Sequence, residues 1–340
     1  MARKRRGSGR ATVFDVAQAA GVSAITVSRV LRTPDLVSDK TRHKVQTAVA
    51  QLGYMPDPAA KALASDRSDI IGVIVPSLTN TVFSDTLRGL YDVADGSAFQ
   101  LQIANTRYSP RAEQQLVQTF LTQRAAGLIV TGIDQSEEAA RALNSAPCPI
   151  VQITETGPAP FDMMVGFSHA AAAARGAQHL LDQGYRRIGF LGARQDPRSR
   201  RRLGGFQSAL RSAGVFDPDL VLFSEYRSSV PLGCEQLSDL LAKAPDADAV
   251  LCNNDELALG ALFECQRRGV DVPRAFGICG FNDTPAMGAA FPALTSIRTP
   301  RRQIGRQAME ILIAKLAGAA PAPQHDLGFE LIARDSTARR

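Results

Sequence analysis

Two groups of residues in this chain are placed to do chemistry, and in both the chemistry is recognition. The first is a set of arginines and amides that follow short apolar runs. It comprises Gly192-Ala-Arg-Gln-Asp-Pro-Arg-Ser-Arg-Arg-Arg202, Asn253-Asn-Asp255, Gly280-Phe-Asn-Asp283 and the polar stretch Pro76-Ser-Leu-Thr-Asn-Thr-Val-Phe83. Guanidinium groups match carboxylates bidentately, and amides exchange hydrogen bonds with hydroxyls. The second group is Ala24, Ile25, Ser28 and Arg29, near the basic N-terminus. On a helix in the major groove, Arg29 can grip guanine bidentately, and Ala24 and Ile25 can touch thymine methyls. Nothing comparable points to catalysis. There is no G-x-G-x-x-G, no P-loop and no G-x-S-x-G. His43, His169, His179 and His325 are scattered, and His169 reads as a surface residue. Cys148, Cys234, Cys252, Cys265 and Cys279 are odd in number and form no C-x-x-C pair, which argues against a disulfide framework or a structural zinc site. No enzyme activity, metal or cofactor is expected.

Charge separates the two groups. Residues 1–68 carry 12 Lys/Arg against 5 Asp/Glu, whereas the other 272 residues carry 27 against 28. A basic head on a near-neutral body suits a polyanion-binding module. Residues 1–10 read as a basic disordered tail. No apolar run reaches the roughly 18 residues of a membrane helix, and no apolar segment follows the basic start as in a secretory signal. A cytoplasmic location is expected, with no membrane partner.

Within the head, Thr12-Val-Phe-Asp15 predicts a capping box, and Val13, Val16, Ala17 and Ala20 follow at helical spacing. Gly21 ends that helix in a left-handed turn. Ser23 caps a second helix whose inward face is Val27, Val30 and Leu31. Small Ala17, corner Gly21 and buried Val27 make a helix-turn-helix, with the second helix in the major groove. An ordinary helical hairpin is the alternative. A third helix, capped by Ser38 and ended by Gly53, turns Val45, Ala48, Val49 and Leu52 to the core. Pro56 prevents its resumption.

From Ile70 onward, short apolar runs alternate with amphipathic stretches. Strands are expected at 70–76, 99–105, 126–132, 149–153, 187–193, 219–224, 249–254 and 276–282. Eight strand–helix alternations predict doubly wound parallel sheets in two α/β lobes. Ligands of such sheets bind beyond the carboxyl ends of the strands, so the four polar loops should converge on a cleft between lobes.

Asp15-Val-Ala, Gly21-Val-Ser, Thr26-Val-Ser-Arg-Val30, Val37-Ser, Lys40-Thr-Arg and Leu52-Gly-Tyr-Met-Pro56 together resemble the head of the lactose-repressor (LacI/GalR) family. The resemblance continues over almost the whole chain. It implies a small all-α helix-turn-helix head on a two-lobed body like that of periplasmic sugar-binding proteins. The implied boundaries are a head at 11–56, a hinge helix and linker at 57–69, and an effector-binding and dimerisation domain at 70–340. The N-lobe would hold 70–167 and 298–330, and the C-lobe 168–297 and 331–340. The resemblance adds Thr12, Ser23, Thr26, Arg32, Lys40, Tyr54 and Lys61 to the DNA contacts, with Leu63 as a wedge in the minor groove. Arg32 stands where several relatives have an uncharged residue. In the cleft it implies contacts from Arg202, Asn254 and Asn282, a wall from Phe167, and neighbours Thr79, Asn80, Phe83 and Arg198. Most of the run 198–202 reads as solvated, and Asn254 could simply cap a helix.

Within the family, Pro76–Phe83, Val165-Gly-Phe167, Leu191-Gly-Ala-Arg194, Phe263–Arg267, Thr299-Pro-Arg301 and Asp326–Phe329 resemble the gluconate-operon repressors. Neutral Asn282, where many sugar-binding relatives have Asp, with Arg202, Arg198 and Arg194 suits a carboxylate. Gluconate or a related sugar acid is the expected effector. The alternatives are a neutral sugar, with Glu155, Asp255 or Asp283 neutralising the arginines, and a ligand-independent architectural protein. One helix-turn-helix reads a half-site, so a homodimer on near-palindromic double-stranded operator DNA is expected, associated with the nucleoid. The ten residues after Glu330 hold no heptad zipper, so assembly is expected to stop at the dimer.

Overall fold

The computed structural model describes residues 11–55 and 67–339, without the Arg32 side chain. The chain divides into two units, Met1–Ser68 and Asp69–Arg340. Lys61 and Leu63 lie outside the described residues, as do the N-terminal tail and most of the expected hinge.

In the first unit, helix α1 (Val13–Ala20) starts with the predicted capping box: Thr12 Oγ1 accepts from the Asp15 amide, and Asp15 accepts from the Thr12 amide. Gly21 closes it in the left-handed region at φ 64°, which favours glycine. Ser23 caps α2 (Ala24–Arg32) through the Thr26 amide. Helix α3 (Asp39–Leu52) ends at left-handed Gly53. Its predicted cap is different in kind: Ser38 Oγ pairs with Thr41 Oγ1 rather than with a backbone amide. The core holds Val16, Ala17, Ala20, Val27, Val30, Val45 and Ala48. Leu31 and Leu52, expected inside, are 38% and 40% exposed. Each lies in the last turn of its helix, and this small core is filled by the valines and alanines of earlier turns.

The second unit is built on two six-stranded sheets. The strands are β1 (Ile70–Val75), β2 (Gln100–Asn105), β3 (Gly127–Thr131), β4 (Ile150–Ile153), β5 (Met163–Gly166), β6 (Ile188–Gly192), β7 (Val221–Phe223), β8 (Ala249–Cys252), β9 (Gly277–Asn282), β10 (Thr295–Arg298), β11 (Gln324–Asp326) and β12 (Glu330–Ile332). Their orders are β11-β5-β4-β3-β1-β2 and β12-β10-β9-β8-β6-β7. Every pairing is parallel except β10 with β12. β1, β3, β4, β6, β8 and β9 are almost wholly buried, as continuous apolar strands between helical layers should be. Four strands beyond the expected eight appear: β5, β10, β11 and β12. Each has three or four residues and sits where the chain passes between sheets, too short for a periodic signal. The stretch expected as strand 219–224 begins instead as a 3-10 turn, Pro218–Leu220, because Pro218 follows Asp217, whose carboxylate accepts from the Asp219 amide.

The chain crosses from the first sheet to the second after β5, returns after β10 and crosses again between β11 and β12. Both sheets reverse strand order one strand in from an edge, at β1 and β6. Helices α4 (Thr81–Ala94), α5 (Pro110–Thr122), α6 (Glu137–Asn144) and α12 (Arg301–Leu316) serve the first sheet. Helices α7 (His169–Asp182), α8 (Pro197–Ser212), α9 (Val230–Lys243) and α10 (Asp255–Arg268) serve the second, and the short α11 (Pro285–Ala289) follows β9. Among the described residues no helix is long and apolar enough to cross a membrane.

Candidate functional site

The loops at the carboxyl ends of β1, β5, β6, β8 and β9 converge, as the switch-point argument requires, on a cleft between the two sheets. Of the eight residues expected there, Asn80, Phe83, Phe167, Arg198, Arg202, Asn254 and Asn282 line it. Thr79 does not: its amide donates to Ser77 Oγ at 3.3 Å within the loop. Asn80 and Asn254 cap α4 and α10, accepting from the amides of Val82 at 3.0 Å and Leu257 at 3.2 Å. Asn282 is buried with φ 109°, a strained backbone for a non-glycine residue. Its carbonyl accepts from Arg301 Nη1.

The run 198–202 is not the solvated stretch expected. Only Arg200 is exposed. Arg198 lies 5.5 Å above the Phe83 ring and 3.7 Å from Asp196. Arg201 reaches across the cleft to Asp134, with one contact at 2.7 Å, and lies 3.7 Å from buried Glu155. Arg202 points to the cleft floor. Its guanidinium lies 3.8 Å over the Phe281 ring, its Nε donates to His169 Nδ1 at 3.1 Å, and its Nη1 donates to the Asn253 carbonyl. Arg198, Arg201 and Arg202 share one face because they stand at i, i+3 and i+4 in the first turns of α8, which Asp196 caps, and Arg200 points the other way. Gly205 allows α8 to lie against α7: a Cβ there would stand 2.0 Å from the Ala170 carbonyl oxygen.

The carboxylates proposed as neutralisers are committed elsewhere. Asp283 pairs with Arg298 at 2.9 Å and Arg334 at 2.7 Å. Glu155 sits beside Arg201 and accepts from the His169 amide. Asp255 accepts from the Thr284 amide at 2.7 Å and Ser296 Oγ at 3.1 Å. Among the described residues Arg202 forms no ion pair, and burial lowers its pKa to about 10. Burial raises Glu155, against the opposing pull of Arg201, and raises Asp255 to about 6.

The sequence reading missed His169 and Asn253. His169, expected at the surface, is buried between Phe167 and Phe281, its ring centroid 4.4 Å and 6.0 Å from theirs. Burial, then the charges of Arg202, Arg198 and Arg201, hold its pKa well below the usual histidine range. Asn253 Nδ2 donates to Ser199 Oγ at 3.0 Å. Thr154 Oγ1, Glu155 Oε2, His169 Nε2 and Asn253 Oδ1 are buried around this floor without an ordinary hydrogen bond. Buried polar groups are rarely left so, and four of them gather at this floor. The signals available were the aromatic Phe167 directly before a helix start and the doubled Asn253-Asn254. Neither distinguishes a buried residue from an exposed one. Among the described residues no cluster of His, Cys, Asp or Glu is arranged to hold a metal ion.

In the head unit, Ile25 is 72% exposed and Arg29 is exposed on the same helix, while Ala24 and Ser28 are half-buried. Thr12, Ser23 and Lys40 are exposed at helix starts. Thr26 Oγ1 is paired with Ser23 Oγ at 2.9 Å. Tyr54 is half-buried against the core. An isoleucine left in water at the start of a helix contributes nothing to folding and suits an apolar contact with a partner.

Residues 12–57 match the family of bacterial regulatory proteins of the lacI type, and residues 177–337 match the periplasmic binding protein-like domain. The chain is 42% identical to the HTH-type transcriptional regulator GntR of Pseudomonas aeruginosa, over 98% of this chain and 97% of that one. A LacI-family transcriptional regulator from Silicibacter pomeroyi has the same fold with a TM-score of 0.90 and 36% identity, over 97% of this chain and all (100%) of that one. The lac repressor dimer bound to operator and the anti-inducer ONPF superposes with a TM-score of 0.83 and 28% identity, over 96% and 99% of the two chains. With a helix-turn-helix whose second helix presents Ile25 and Arg29 to solvent, and a two-lobed body enclosing a polar cleft, the chain belongs to the LacI family of DNA-binding transcriptional regulators.

Proposed function

We propose that this regulator is a cytoplasmic, nucleoid-associated homodimer that represses from near-palindromic operator DNA, and that its effector is an anionic sugar derivative, gluconate or a related sugar acid. The observation that carries the effector reading is Arg202, a guanidinium on the cleft floor with uncharged partners only and unpartnered polar atoms around it. A half-buried charge calls for an anionic partner. With Asp283, Glu155 and Asp255 engaged elsewhere, the ligand supplies it. Phe83 and Phe167 give the carbon chain an apolar wall, and Asn254, Asn282 and Asn253 offer partners to hydroxyls. Thr79, outside the lining, is left out of the contact set. On the DNA side, Arg29 reads a base edge, Ala24, Ile25 and Ser28 flank it, and Thr12, Ser23, Thr26, Arg32, Lys40, Tyr54 and Lys61 position the head on the backbone. Leu63 is assigned the minor-groove wedge. The domain boundaries proposed are 11–56, 57–69 and 70–340.

The effector reading is tested by a thermal-shift series of sugar acids against their matched sugars and polyols. A cleft ligand stabilises by mass action, by about 2.7 kcal/mol at a hundred times its Kd. Gluconate is expected to raise Tm in a dose-dependent way while glucitol does not. Stabilisation by neutral sugars alone would replace the anionic effector with a neutral one and leave the regulator intact.

A further inference from the structure

Arg202 is held by three partners, and none carries charge: the His169 imidazole, the Asn253 carbonyl and the Phe281 ring. The histidine is the informative one. Its Nδ1 accepts from Arg202 Nε, so the single proton of the neutral ring sits on Nε2, which is buried near the Thr154 backbone without a hydrogen bond of ordinary geometry. The ring cannot turn away. Phe167 and Phe281 flank it, the His169 amide donates to Glu155 Oε1 at 3.3 Å, and the close approach at Gly205 fixes α8 against the start of α7.

A neutral acceptor orients a guanidinium without cancelling its charge. A carboxylate in the same place would orient it equally well but would also neutralise it, as Asp134 does for neighbouring Arg201. The two adjacent arginines therefore differ in what they hold out to a ligand. Arg201 is a closed ion pair, whereas Arg202 keeps its charge and at least its Nη2 donors.

We propose that His169 is a positioning residue that sets the charge preference of the cleft: by holding Arg202 through an uncharged Nδ1, it reserves the guanidinium charge for an anionic effector. This rests on the anionic-effector reading above. It goes further in assigning the selectivity to the partner of the arginine as well as to the arginine. It implies that one substitution at His169 converts an acid-selective cleft into one that accepts a neutral polyol, because a half-buried ion pair formed inside the protein removes the charge that the cleft floor holds out to the ligand carboxylate, leaving only Arg194, stacked on Tyr108, as a cation without an ion pair among the described residues of the lining.

The test compares His169→Asn with His169→Asp in the full chain, by calorimetry with gluconate and with glucitol. Both replacements have nearly the same size, and both can offer an oxygen close to the position of Nδ1. They differ in charge, so a merely structural role for the ring would move both alike. The wild-type chain is expected to prefer gluconate by about tenfold or more, the scale of one charge-assisted contact. His169→Asn is expected to keep that preference, and His169→Asp to lose it while still binding glucitol at least as well as the wild type. If the Asp variant does not fold, His169→Leu serves instead: with the acceptor gone the preference falls, and Asn in the same position restores it. Gluconate preference in His169→Asp or His169→Leu equal to that of the wild type overturns the proposal, as does an Asn variant that loses it as completely as the Asp variant. Equal wild-type affinity for gluconate and glucitol would instead bring down the anionic reading itself, and the proposal with it, so the two failures are distinguishable.

Discussion

The head and the cleft use the same side chain in opposite surroundings. Arg29 stands exposed on α2, over a core of seven small apolar residues that does not include it. Arg202 lies on the cleft floor, stacked on Phe281 and hydrogen-bonded to His169. Water solvates the first at no cost to folding. The second is partly stripped of water and forms no ion pair among the described residues, with only the more distant pull of Asp196, Glu155 and Asp255 to offset the loss, so its presence opposes folding until a ligand arrives. An exposed recognition residue can be exchanged with little effect on stability. A cleft residue of this kind trades stability for binding.

The largest expected effect follows from that contrast. Arg202→Gln should weaken gluconate binding by about 2–5 kcal/mol, the range for removing one member of a buried charge pair. Because the lost charge was unneutralised, Tm of the unliganded protein should stay level or rise. A large fall in unliganded Tm, read by calorimetric scanning, would make Arg202 a structural residue and remove the contrast.

Asp255 extends the comparison to pH. Burial raises its pKa from 3.8 to about 6 in the folded chain. An acid with a raised folded-state pKa contributes stability that is fully present below about pH 4 and lost as pH rises through 6. The size is about 2 kcal/mol between pH 4 and 7, for a shift of about two units. Asp255→Asn does not titrate. Its stability relative to wild type in urea melts should therefore improve by about that much from pH 4 to pH 7. Parallel pH profiles for the two proteins would show that Asp255 is ionised at no cost.

Smaller effects belong to the head. Arg29→Ala should reduce discrimination between operator and random duplex by about 1–3 kcal/mol, with Tm unchanged. Equal losses on both duplexes in a gel shift would make Arg29 a phosphate contact. Thr12→Ala removes the hydroxyl half of the capping box and should cost about 1 kcal/mol. That cost should appear in the unfolding of the head and leave gluconate affinity untouched. A change in gluconate affinity would contradict the separation of roles.

The same contrast explains what could be read from the sequence. In the head, capping box, corner glycine and valine spacing are local signals, each with its own physical cause, and they appear at Thr12, Gly21 and Val27 as expected. The strands β1, β3, β6, β8 and β9 were legible because complete burial demands continuous apolar runs. The cleft was legible only in outline. Which loops converge follows from strand order, but the partner of each side chain does not. Arg201 and Arg202 are neighbours of one type. One meets Asp134, 67 residues away, and the other meets His169, 33 residues away. His169 carried no local mark of burial, since the rings that enclose it come from β9 and from the end of the preceding crossover. The short strands β10, β11 and β12 take their form from the sheets they join rather than from their own residues.

The central claim is that a charged cleft controls a DNA-binding head. An effector acts on DNA only through its differential affinity for two arrangements of the protein. The most direct measurement is operator affinity of the wild-type chain by fluorescence anisotropy, at fixed salt, with gluconate or glucitol at equal concentration. Gluconate is expected to shift the operator Kd, and glucitol to leave it where it stands. An identical shift from both compounds, or a shift from glucitol alone, would contradict control through the Arg202 charge.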